Sequence, residues 1–158
     1  MQSVAVSDMY QQLLARVAEE KRQSGSALQP PATQEQIQRA VENGSKELHT
    51  ELPGDYLQFL SLTNGFDWNG VVIYGAGRNP IGTHPDRSIA DVVEMNLNYR
   101  DDPRFGDLLV LGSNGMDIYT YRISTDRYEI YDEVPHELIE SFPTFDELIS
   151  KALTRSLQ

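Results

Sequence analysis

Histidine, cysteine, serine and paired carboxylates are the side chains that most often make or break bonds. Their placement is the first test of this chain's chemistry. The three histidines, His49, His84 and His136, lie far apart and share no metal-ligand spacing. Cysteine is absent, which removes disulfides, thiolate zinc sites and cysteine nucleophiles together. Asp132-Glu133-x-x-His136 gathers oxygen and nitrogen ligands in one run, but acids beside a lone histidine read as solvated surface, and no metal is expected. The 24 acidic residues guarantee carboxylate pairs by chance, and none sits in a signature context. Gly75-x-Gly77-x-x-Pro80 lacks the third glycine of a dinucleotide turn, so no cofactor is expected. Gly112-Ser113-Asn114-Gly115 is not a nucleophile elbow, and no serine has an evident base. No catalytic residue is assigned, and the chain reads as a non-enzyme.

Recognition is the chemistry that remains. Asp117, Tyr119, Glu129, Tyr131, Asp132 and Glu133 mix carboxylates with large amphipathic rings on adjacent predicted strands, a composition suited to a basic protein surface. Trp68, the single tryptophan, joins them as a binding candidate, with core packing as its other reading. The net charge is −11, made of −3 over residues 1–80 and −8 over residues 81–158. Such a surface repels phosphate backbones and anionic lipid, so neither nucleic acid nor membrane is an expected partner. The N-terminus has no basic-then-apolar leader and no run approaches the roughly 18 apolar residues of a membrane span, so a cytoplasmic location is expected.

The positioning elements follow from periodicity. Tyr10, Leu13, Leu14 and Val17 mark one face of a helix capped by Ser7 or Asp8 and fading at Arg22-Gln23. A Pro-containing linker over residues 26–32 leads to Thr33-Gln34-Glu35-Gln36, a capping box opening a second helix with Ile37, Ala40 and Val41 inward. That helix stops at Asn43-Gly44 or bends there and continues to Leu48. Pro53 starts a short buried helix bearing Tyr56, Leu57, Phe59 and Leu60, stopped by Asn64-Gly65. Asn69-Gly70 between Phe66–Trp68 and Val71–Tyr74 predicts a hairpin. Residues 75–88 read as loop, and a helix follows from Ile89 to Tyr99 with Ile89, Val92, Val93 and Met95-Asn96-Leu97 inward. Leu108–Gly112 reads as a central strand, residues 116–124 and 127–134 as two further strands, and Thr144–Glu147 as a capping box opening the last helix. These elements make an α+β fold, with a mostly antiparallel sheet and helices packed against it. With 158 residues the chain reads as one domain over 1–158, the first helix and linker, 1–32, being an extension.

Three motifs in order carry a family resemblance: Leu52-Pro53-x-Asp55-Tyr56-x-x-Phe59-Leu60 with Asn64-Gly65, Trp68 and Tyr74-Gly75; Gly112-Ser113-Asn114-Gly115-Met116-Asp117; and Ser141-Phe142-Pro143-Thr144-Phe145-Asp146-Glu147-Leu148. Together they resemble the SUKH superfamily from about Thr33 to Leu153, with Met116 standing where its turn often carries a further glycine. The resemblance implies helices around a sheet of about six strands and a non-catalytic, protein-binding role. Many bacterial relatives are immunity proteins that neutralise polymorphic or contact-dependent toxins. Such toxins are often basic nucleases, which an acidic protein would suit. The alternative the resemblance carries is a scaffold or regulatory adaptor of the same fold in cell-envelope or stress biology.

Overall fold

Short-range signals set most of the helix boundaries. A computed structural model describes the backbone of residues 2–82, 84–134 and 136–158, and the side chains of these except residues 2–9, 84 and 85. Helix α1 spans Gln2–Gln23. It therefore begins before the expected cap at Ser7 or Asp8, whose side chains fall outside the described ones. Helix α2, Gln34–Asn43, opens with both halves of the capping box, the Thr33 hydroxyl accepting from the Gln36 amide and the Gln36 side chain accepting from the Thr33 amide. Of its expected inward stripe Ala40 is buried, whereas Val41 is exposed. The helix does not stop at Asn43-Gly44. It continues as a π-helical turn, Gly44–Leu48, closed by His49 in the left-handed conformation.

Helix α3, Gly54–Leu60, follows Pro53 and buries Tyr56, Phe59 and Leu60. It ends at Leu60, so Asn64-Gly65 is not its stop. Asn64 instead ties the chain leaving α3 to the next loop: its Oδ1 accepts from the Ala76 amide at 2.8 Å, and its Nδ2 donates to the Ala76 carbonyl at 3.2 Å. Gly65 has φ of +90°, and a Cβ there would meet the Ile89 side chain at 2.7 Å.

Strands β1, Phe66–Trp68, and β2, Val71–Ile73, form the expected hairpin, with Asn69 and Gly70 both at positive φ. The segment read as loop holds a second, separate hairpin of β3, Asn79–Ile81, and β4, His84–Ile89. Ile89 therefore belongs to a strand. Helix α4 is shorter than expected, Val92–Tyr99, with Asp91 as its cap. After a 3₁₀ turn at Pro103–Phe105 come β5, Leu108–Ser113, β6, Asp117–Arg122, β7, Arg127–Asp132, β8, Leu138–Phe142, and α5, Phe145–Ser156. At α5 the Thr144 hydroxyl accepts from the Glu147 amide and donates to the Glu147 carboxylate, so the cap is a variant of the box.

The main sheet has six strands in the order β1-β2-β5-β6-β7-β8, all neighbours antiparallel. Helices α1, α3 and α5 cover one face, where Tyr10, Tyr56, Phe59, Tyr128 and Phe145 form a connected set of ring contacts. Helix α4 covers the other face over β5. Buried Asn96 reaches the bulge in β5, where its Oδ1 accepts from the Val110 amide at 2.7 Å and its Nδ2 donates to the Val110 carbonyl at 2.8 Å. One side chain thus pairs both backbone groups of Val110, beyond the end of the β2 pairing at Gly112. At the same bulge a Cβ on Gly112 would lie 2.2 Å from the Val72 carbonyl oxygen, so β2 and β5 can pair here only through glycine.

Candidate partner-binding surface

Strand alternation divides the expected recognition residues between two faces. The β6–β7 register opposes Asp117 to Asp132, Ile118 to Tyr131 and Thr120 to Glu129. Asp117, Tyr119 and Asp132 therefore share the α5 face, and Glu129 and Tyr131 the opposite one. Tyr119 is buried, its hydroxyl accepting from Asn114 Nδ2 at 3.0 Å. Glu133 sits in the β7–β8 turn, its amide donating to the Met116 carbonyl at 3.0 Å. Trp68 is on β1, at the far edge of the sheet, and does not join the other six.

Glu129 and Tyr131 are engaged inside the protein. Arg122 Nε donates to Glu129 Oε1 at 2.9 Å, the Tyr131 hydroxyl donates to the same oxygen at 2.9 Å, and Arg122 also donates to the Tyr131 hydroxyl and to Asp107. Burial acts to lower the Arg122 pKa, but hydrogen bonds to Tyr131 and Glu129 outweigh it and hold the guanidinium above its ordinary range. His136 stacks on Tyr131 with ring centroids 4.8 Å apart and meets Phe105 edge-on. Burial, and then the nearby Arg104, push the His136 imidazole below its usual pKa.

The two edges of the sheet are treated differently. Strand β1 is three residues long and roofed by α1: Trp68 Nε1 donates to Glu20 at 3.1 Å, and buried Lys21 places its ammonium 4.8 Å from the indole centroid. Asn69 Nδ2 adds a hydrogen bond to the Ser156 carbonyl at 2.6 Å. Strand β8 ends the sheet on the other side, and no described strand pairs with its outer edge. Beside it stand four exposed apolar side chains, Met116 at 66%, Val134 at 83%, Leu138 at 52% and Ile139 at 53%. Residues 128–150 contain seven acids and no lysine or arginine, while Lys151 pairs with Glu140 and Arg127 donates to Ser141, both on β8. A cleft of about 260 Å³ between α5 and β6–β8 adjoins the edge, lined in part by Asp117, Tyr119, Ile139, Glu140 and Arg155.

Sequence reading named the acids of this surface but neither its apolar residues nor β8. A signal was present: adjacent apolar residues on a strand point to opposite faces, so Leu138-Ile139 on an outer strand must turn at least one of them outward. Met116 has an ordinary backbone conformation, so the glycine found at this place in the family turn is not required; Gly115, at φ of +91°, makes the turn.

Among the described residues no three His, Asp or Glu side chains gather as a metal-holding group, and no helix is long and apolar enough to cross a membrane. The fold and surface define an α+β domain with one sealed and one open sheet edge. The chain belongs to the SMI1 / KNR4 family (SUKH-1), whose profile matches residues 31–151, from the segment before α2 into α5. That family includes toxin immunity proteins. No curated protein matches the chain.

Proposed function

We propose that this chain is a non-catalytic immunity protein of the cytoplasm, which neutralises a cognate toxin by holding a basic toxin domain against the β8 edge. The observation that carries the reading is the outer strand β8 with exposed Leu138 and Ile139, close in sequence to exposed Val134 and to the acids Asp132, Glu133 and Glu137. An exposed edge offers backbone hydrogen bonds, and apolar side chains beside it supply the desolvated centre of an interface. The surrounding carboxylates, Asp117, Asp132, Glu133 and Glu137, favour a lysine- or arginine-rich segment over an acidic one. Tyr119, Glu129 and Tyr131 stiffen the strands beneath, and Trp68 fastens the opposite edge.

Purified chain and the toxin domain encoded beside it are expected to form a one-to-one complex whose association slows steeply as salt rises. Changing Leu138 and Ile139 to Asp is expected to weaken that complex by about 30-fold or more without altering the melting temperature, since both side chains are exposed. Absence of both a complex and growth rescue on co-expression would defeat the reading. Recovery of resident host proteins instead of a toxin domain would favour the adaptor role.

A further inference from the structure

At the opposite end of β6 and β7 from the exposed apolar residues, a cleft of about 380 Å³ opens between the β6–β7 hairpin and the segment leading into α3. Glu51 lines it from that segment, Asp55 from the first turn of α3, and Tyr121, Asp126 and Tyr128 from the hairpin. None of these three carboxylates forms an ion pair among the described residues. Asp126 accepts from the Tyr121 hydroxyl at 2.8 Å. The cation nearest in sequence, Arg127, is turned to the other face, where its Nε donates to Ser141.

Tyr128 is the unusual wall. The residue is 5% exposed, with its ring held against Tyr121 at 5.0 Å and Phe145 at 5.8 Å. Its hydroxyl bonds to no described group, yet it is not among the sealed polar atoms, so it reaches the cleft. A buried ring thus brings to a carboxylate-lined surface a hydroxyl that is free to bond to whatever enters the cleft. The same carboxylates act on the ring hydroxyls. Burial and then Asp126 push Tyr121 up to about 12, and burial followed by Tyr121 and Asp55 raises Tyr128 as well.

The size of that cation follows from the spread of the acceptors. These carboxylates do not converge as a metal-holding group. A guanidinium carries five donors in a flat fork, accepts bidentate carboxylates and rests its face on aromatic rings, whereas an ammonium is a compact point charge. We infer that this cleft binds a guanidinium group, either an arginine side chain of another chain or a free guanidino compound, with Glu51, Asp55 and Asp126 as carboxylate acceptors and the Tyr128 hydroxyl completing the cradle. The inference concerns the cleft alone and stands whether or not a toxin is the partner.

Amide chemical shifts of the full chain, titrated with N-acetyl-arginine amide, test it. Saturable shifts are expected at residues 54–55 and 121–128, with weaker effects from N-acetyl-lysine amide and none from the neutral citrulline analogue. Asp55→Asn combined with Asp126→Asn is expected to weaken binding by about tenfold or more, as loss of charge-assisted hydrogen bonds requires. Tyr128→Phe keeps the buried ring and is expected to weaken it about tenfold, one hydrogen bond from a charged donor, with the rest of the spectrum unchanged. An arginine-containing peptide that binds far more tightly than the amide identifies a protein source for the guanidinium; equal affinity identifies a small molecule. Equal shifts from the citrulline analogue, no saturation by about 50 mM, or affinity indifferent to all three substitutions overturns the proposal.

Discussion

Glu129 and Asp132 lie three residues apart on one strand and have different physical fates. Glu129 is buried and receives hydrogen bonds from Arg122 and Tyr131, whereas Asp132 is half-buried at the strand's end. Removing one partner of a buried ion pair leaves the other charge desolvated. Glu129→Ala is therefore expected to destabilise the fold by about 3 kcal/mol in urea titration, while Asp132→Ala should stay within about 0.5 kcal/mol. A small loss at Glu129 would mean that Arg122 finds enough compensation in Asp107 and water. His136 gives this region an acid limit. Its folded pKa lies below the ordinary value of 6.5, so the unfolded chain takes up the proton first as pH falls. The contribution is present above pH 6.5 and is lost as pH drops through that value toward the folded pKa. His136→Asn, an exchange that tolerates the left-handed φ of 74° at this position, is expected to flatten the fall of melting temperature between pH 7 and pH 5. An unchanged slope would assign that limb to carboxylates.

At the scale of elements, the β5 bulge and its plug form one unit. Asn96→Ala removes both partners of the Val110 backbone within a buried site. The expected loss is about 3 kcal/mol, with amide exchange at Val110 accelerating before that of β6–β7. Exchange unchanged at Val110 would show that the bulge closes by another route. No such pairing is legible in the sequence, because Asn96 and Val110 meet only after α4 docks on β5. The capping box at Thr33 was legible because its four residues act locally, and the Asn69-Gly70 hairpin for the same reason. Strands β3 and β4 were not: their prolines and glycine carry turn signals, and a two-stranded ribbon outside the main sheet needs little apolar periodicity. The acids of the candidate surface were visible as composition. The facing of each one was set by β6–β7 register and by the half-buried Arg122, and neither shows in a list of residues.

Across the whole molecule, charge and the open edge explain one another. A strand with free backbone groups and exposed Leu138 and Ile139 is a template for pairing with any chain, including a second copy of itself. Two copies meeting edge to edge would bring together two surfaces that each carry Asp132, Glu133 and Glu137. Repulsion between like charges opposes that pairing and leaves the edge available to a basic segment. At β1 the same liability is met by burial under α1, through Trp68, Glu20 and Lys21. The acids around β8 then oppose self-pairing as much as they attract a partner. Asp132→Asn combined with Glu133→Gln and Glu137→Gln is expected to convert the protein to a concentration-dependent dimer in sedimentation velocity. Adding Leu138→Lys, which places a charge on the exposed edge itself, should restore the parent's behaviour. A triple variant that sediments like the parent at every concentration would show that β8 is kept from self-pairing by its bulge and shape, and that its carboxylates act on partners alone.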